Sequence, residues 1–259
     1  MNRILVNLGL IIDVVRFEFA RSMTRGRIGI WCLLTCFPVF LFYLLDLTGA
    51  TMPAESWTYF QYMFIVEIIC QLGLLLWATP VISTEIENQT WIYLAMRQSG
   101  RSVMFLGKYL TAILWTLSAA LVSMTLCMTV IPIIGSGYLW CVLAVLATFS
   151  CIAHAAIFLA IGMLVPRRAM VSAVLYTLLI EYAISLVPAV ANKFTVNYRL
   201  RSLLLTWTDL DDKTRQGLTF IGTEPTYVHL FLLFTITILG LCIALLCARY
   251  TQFPTQQDG

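Results

Sequence analysis

Six apolar runs, each about the length a helix needs to cross a bilayer, take up most of this 259-residue chain. They fall at about 28–45, 60–82, 111–134, 138–165, 169–191 and 227–248, and roughly 20 apolar residues make a membrane-crossing helix. Backbone polar groups inside hydrocarbon must be satisfied within the segment, so runs of this kind become helices. Only 11% of the residues are charged and 60% are apolar, against roughly 25% charged in a soluble domain. Little sequence is left for a water-soluble domain. The expected fold class is an all-α membrane protein with six transmembrane helices, a single domain over 1–259. The Arg-rich stretch before the first run is longer than the n-region of a signal peptide, and no small-residue cleavage site follows it, so the N-terminus is expected to be retained.

Lys and Arg mark the cytoplasmic side of short flanks. Arg3, Arg16, Arg21, Arg25 and Arg27 precede the first run; Arg97, Arg101 and Lys108 lie between the second and third; Arg167 and Arg168 lie between the fourth and fifth; Arg249 ends the sixth. The first opposite-side loop carries Asp46 and Glu55 but no base. The expectation is a multi-pass protein of the cytoplasmic (inner) membrane with both termini inside. The segment 192–226 then forms an exterior loop. With five bases and four acids over 191–226 it votes weakly on orientation.

Two connecting segments have patterns of their own. In 4–25, Leu8, Ile12, Val15, Phe19 and Met23 recur at steps of four, three, four and four, with Glu18, Arg21 and Arg25 nearly opposite. That is the pattern of a helix lying in the headgroup plane with its arginines near anionic lipid; Gly26 and Gly29 favour a break before the first span. In the exterior loop, Leu200, Leu203, Leu204 and Trp207 share a helical face. They fit either a short helix on or dipping into the outer leaflet, or a solvated loop with incidental leucines.

Few residues carry candidate chemistry. Glu67 and Glu181 are the acids inside spans, and Gln71 shares a face with Glu67. Ionisable groups at bilayer depth normally face a bundle interior or a water-filled cavity. They read either as a pathway lining or gate, or as hydrogen bonds between helices. His154, flanked by Ala153, Ala155 and Ala156, reads as a packed, hydrogen-bonded histidine. The eight cysteines lie inside the runs without zinc-site spacing and read as small apolar residues. No catalytic residue, metal site or cofactor site is expected, and no phosphate loop is present, because Tyr109 follows Gly107-Lys108 where Ser or Thr would hold magnesium. The chain is expected not to be an enzyme.

The stretch from Ser83 to Tyr109 is the most distinctive. Acids come first (Glu85, Glu87), then Thr90 and an apolar patch that includes Trp91 and Leu94, then bases (Arg97, Arg101, Lys108). The layout, together with Glu85, Glu87, Thr90, Leu94, Ser99-Gly100-Arg101 and Gly107-Lys108, resembles the membrane subunit of ABC-2-type ABC transporters. Gln89 stands where that family usually has glycine, and Gln98 about where proline often sits. The resemblance implies an N-terminal elbow helix, a cytoplasmic coupling helix at 85–101 between spans two and three, and a re-entrant segment between spans five and six. It also implies a permease, an exporter, that forms the substrate pathway as a homo- or heterodimer. A separate ATPase subunit in two copies would dock on Glu85, Glu87, Thr90, Trp91, Leu94, Arg97 and Arg101. Membrane lipid is a further expected partner and nucleic acid is not. Competing readings are a self-contained secondary transporter or channel using Glu67 and Glu181, and a non-transporting scaffold.

Overall fold

A computed structural model describes residues 2–49, 53–81, 84–85, 100–130, 136–186, 190–208 and 224–250. Those residues are almost entirely helical, and among them five helices are long and apolar enough to cross a membrane. The chain is an all-α, multi-pass membrane protein.

Helix α1 (Asn2–Ser22) precedes α2 (Arg25–Leu47). The break falls at Met23-Thr24, ahead of the glycines, because the Thr24 hydroxyl accepts the Arg27 amide and starts α2 there. The second long helix, α3, is composite: Ala54–Tyr62 is α-helical, Met63–Ile69 is π-helical, and Cys70–Trp77 returns to α before a 3-10 turn at Thr79–Val81. Helix α4 (Gly100–Val130) and helix α5 (Ser136–Leu164) follow. Helix α4 begins eleven residues before the expected third span, so Gly100 and Arg101 belong to it.

The expected fifth span, 169–191, is not one of the five long helices. It forms α6, with α-helical Ala169–Tyr176, a π-helical stretch Thr177–Ala183 and a 3-10 turn Ile184–Leu186. The physical reason is the interruption of regular helix around Glu181. The segment 192–226 also differs from a solvated loop. A 3-10 turn (Val190–Phe194) leads into α7 (Val196–Trp207), whose residues Val196 to Leu204 are all buried. The last long helix is α8 (Thr226–Tyr250).

Helix α5 is the hub. It packs against α3, α4, α7 and, most extensively, α8. Helices α2 and α8 bury only about a fifth of their apolar windows and turn Leu33, Phe40, Phe231 and Phe234 outward, as lipid-facing helices do. Four of the eight cysteines (Cys32, Cys36, Cys141 and Cys242) also face outward, while Cys70, Cys127 and Cys151 are buried. Alternation of burial on α1 differs too. Val14, Phe19 and Ser22 pack inward with Glu18, whereas Ile12 and Met23 are exposed. A buried basic partner, Lys108, draws Glu18 to the packed side.

Small residues set the tightest approaches, as is general for membrane helices. A Cβ built on Gly162 of α5 would lie 2.7 Å from the Thr79 carbonyl oxygen, and one on Gly240 of α8 would lie 3.0 Å from the Ala156 carbonyl carbon. Backbone atoms cannot swing aside. Gly162→Ala is therefore expected to destabilise the fold by about 1–3 kcal/mol, whereas Gly29→Ala, with nothing within 4 Å, should not. Thermal unfolding of the two variants in the same micelle checks this; equal midpoints would mean α3 and α5 do not meet so closely.

Candidate functional site

Helix α7 is too short to cross a bilayer: its twelve residues span about 18 Å. Its N-terminal end is joined through Gln71 and Glu181 to His154, which lies about 27 Å along α5 from Ser136 at the α-helical rise. Its C-terminal end meets the start of α5, where the Tyr138 hydroxyl donates to the Trp207 carbonyl at 2.7 Å. The helix thus dips from one end of the bundle to the depth of the buried acids.

The N-terminus of α7 exposes four backbone donors that the helix itself cannot satisfy. Three have identified acceptors. The Glu181 carboxylate takes the amides of Val196 (3.3 Å) and Asn197 (2.9 Å), and the Thr195 hydroxyl takes that of Tyr198 (3.3 Å). A carboxylate is favoured there by the helix dipole as well. The Tyr176 hydroxyl donates to the same carboxylate at 2.6 Å, and Ser185 donates to the Glu181 carbonyl. Glu181 is wholly buried, yet its charge is met on several sides.

Three residues past Tyr198, Arg201 of α7 reaches α3. Its Nε and Nη2 donate to the two carboxylate oxygens of Glu67 at 2.5 and 2.7 Å, a bidentate pair with almost no exposure. Tyr59, Tyr62 and Tyr182 lie close enough to feel this pair electrostatically. Both buried acids sit in π-helical stretches, Glu67 in Met63–Ile69 and Glu181 in Thr177–Ala183. Single π turns inside helices recur at functional sites. Here both turns carry the acids that grip α7.

A third contact joins these two. Gln71 Nε2 donates to Asn197 Oδ1 at 2.9 Å and lies 3.1 Å from His154 Nε2. Asn197 Nδ2 donates to the Glu181 carbonyl at 3.3 Å, and His154 Nδ1 lies 3.0 Å from the Ser150 carbonyl. Ser150 in turn donates to the Val66 carbonyl of α3 at 3.0 Å.

A second charged group holds the entry to α8. Arg199 donates to Glu224 and, through Nε, to the Lys193 carbonyl at 2.7 Å; Lys193 pairs with the other Glu224 oxygen at 2.9 Å. His229 accepts from Arg199 at 3.1 Å and sits 3.2 Å from the Glu224 carbonyl. The hydrogen bond from Lys193, reinforced by Arg199, holds the Glu224 carboxyl down to about 2.

At the opposite end of the bundle, Lys108 of α4 pairs with Glu85 and lies 3.8 Å from Glu18 of α1, while Arg21 lies 3.9 Å from both Glu18 and Glu85. Trp115 stacks on Phe19 (5.1 Å) and Trp77 (5.9 Å) and donates to Ser22 at 2.6 Å. A shallow cleft between Glu18, Arg27, Trp77 and Lys108 opens beside this cluster.

The candidate residues from the sequence therefore divide. Glu67, Gln71 and Glu181 converge on α7. Glu85 joins Lys108, and Arg101 lies in the first turn of α4. Glu87, Thr90, Trp91, Leu94 and Arg97 lie outside the described residues. Sequence reasoning missed Arg201, Asn197, Arg199 and Tyr176. The available signal was two arginines within a leucine-rich helical face, facing a chain with two buried acids to neutralise. No family model and no curated protein matches this chain.

Proposed function

We propose that the chain is the membrane-spanning permease subunit of an ATP-driven transporter of the ABC-2 type, an exporter whose energy comes from a separate ATPase. The observation that carries this reading is α7: a short polar helix seated among long apolar ones, between the fifth and last apolar runs, where the resemblance places a re-entrant segment. A helix of that kind has a use in a protein that must open and close a polar route. On this reading α6 is the fifth of six spans, α1 is the elbow helix, both termini face the cytoplasm, and a second permease subunit completes the pathway. Two further features support it. Helix α1 is set off from α2, and its Glu18 and Arg21 meet Glu85 and Lys108, the residues that bracket the 85–101 docking segment. A push on that segment has a charged path into α1 and α4.

A self-contained proton or cation path through Glu67 and Glu181 is the weaker reading, because Arg201 neutralises one acid and the other caps α7. The test is at the proposed docking surface. Trp91→Asp and Leu94→Asp should abolish co-purification with the proposed ATPase subunit while leaving membrane insertion intact. Full retention of the ATPase by both variants would overturn the docking assignment.

A further inference from the structure

Between α3, α5, α6 and α7, the orientations of Asn197, Gln71 and His154 are fixed by a chain of donors and acceptors that ends on one histidine nitrogen. The Glu181 carbonyl can only accept, so the Asn197 amide must turn Nδ2 toward it and Oδ1 away. Oδ1 can only accept, so Gln71 must offer Nε2. That same Nε2 lies against His154 Nε2, which must therefore accept. The Ser150 carbonyl at His154 Nδ1 can only accept, so the single ring proton sits on Nδ1. These four bonds are all made only with His154 neutral in this tautomer.

A second proton has one place to go, Nε2, and there it meets two neighbours of opposite effect. Gln71 Nε2 at 3.1 Å becomes a donor facing a donor. The Glu181 carboxylate oxygen at 3.8 Å becomes an ion-pair partner. Turning the Gln71 amide over would satisfy the new proton but set oxygen against Asn197 Oδ1. Turning Asn197 as well would set its oxygen against the Glu181 carbonyl. Each rearrangement breaks one bond to Asn197, and the attraction to His154 draws Glu181 away from the Val196 and Asn197 amides. Gln71 Oε1, buried and without a partner among the described residues, is the kind of acceptor an internal water satisfies.

We propose that His154 is a proton-binding site whose occupancy loosens the N-terminal end of α7. This does not rest on the transporter reading, since it follows from the hydrogen-bond orientation alone. The charged and titratable groups facing His154 are Glu181 and Tyr176 from α6; Tyr109 of α4 donates instead to the Ile152 carbonyl, Glu67 of α3 is already paired with Arg201 of α7, and α8 meets α5 through Gly240. Cys151 on the same helix contacts Cys70 of α3. Protonation leaves the Arg201–Glu67 and Arg199–Glu224 pairs in place, so α7 pivots at its inner end while it stays held further along.

The chain has only two histidines, His154 and His229, which makes the test direct. The full-length protein is reconstituted in nanodiscs with imidazole-¹⁵N histidine. A cysteine-free version carries a nitroxide at Phe194→Cys, an exposed position next to the Thr195 cap. Both are titrated from about pH 8 to about pH 5, where an ordinary histidine changes charge. Glu224, held near 2, keeps its pair with Lys193 across this window and does not perturb the label. The expected result is that His154 is the Nδ1-protonated neutral tautomer at high pH. It then takes up its second proton at the same midpoint at which the label loses its immobilised spectral component. The label transition should disappear in His154→Gln and survive in His229→Gln. A His154 signal that stays neutral throughout, a label that does not respond while His154 titrates, or a label transition that survives His154→Gln each overturns the proposal. The co-titration in the chain with both histidines present stands as a test even if His154→Gln folds poorly.

Discussion

Arg201→Ala is expected to cost about 3–5 kcal/mol of folding stability, the scale on which an uncompensated buried charge destabilises a protein. The substitution removes two charge-assisted hydrogen bonds and leaves the Glu67 carboxylate among Tyr59, Tyr62 and Tyr182 with no cation. It also frees the middle of α7 from α3. Glu67→Ala should cost a similar amount, because Arg201 is then the stranded ion. The double variant Glu67→Leu/Arg201→Met should recover most of the loss, since apolar side chains of similar volume often replace a buried ion pair without penalty. Equilibrium unfolding in mixed micelles measures all four proteins. Single variants as stable as the parent would show that the pair is not made, or is made in water.

Glu181 separates a capping role from a proton role. Glu181→Ala should destabilise by about 2–4 kcal/mol, since each orphaned buried donor costs about 1–3 kcal/mol and membrane hydrogen bonds fall at the low end. The amides of Val196 and Asn197 and the Tyr176 hydroxyl are the donors left behind. Glu181→Gln keeps an acceptor oxygen for α7 and should fall between the parent and Glu181→Ala. In a complex with the ATPase subunit proposed above, wild-type-like substrate-stimulated ATPase activity in Glu181→Gln would confine this residue to holding α7. Lost activity with retained stability would place its charge in the transport cycle.

What was legible in the sequence followed the physics that acts locally. Apolar run length is set by bilayer thickness, so α2, α4, α5 and α8 were readable, with boundaries shifted where polar residues extend a helix beyond hydrocarbon, as at Gly100. The acids at 67 and 181 stood out because charge in an apolar run is costly. Their partners did not stand out. Arg201 lies 134 residues from Glu67, and in the sequence it counted as one of several loop charges. The π-helical turns were illegible for a related reason. Nothing local in Met63–Ile69 asks for an extra residue per turn; the pull comes from α7. Leu200, Leu203 and Leu204 correctly marked a helical face, but the same helix buries Arg199 and Arg201 too, which a one-sided helix at a lipid surface would not do.

The distance in sequence between Glu67 and Arg201 also has a temporal meaning. A ribosome adding 5–20 residues per second needs roughly 7–27 s to travel the 134 residues between them. Helix α3 therefore reaches the membrane long before the arginine that completes it exists, and α4, α5 and α6 all arrive in the interval. The bundle is assembled around a site that is closed late, when α7 meets walls from α3, α5 and α6 that are already standing and α8 follows to cover it. A nascent chain arrested before Val196 would carry the walls supplied by α3, α5 and α6 but neither α7 nor α8, and such an intermediate is where insertion factors and quality control would meet this protein.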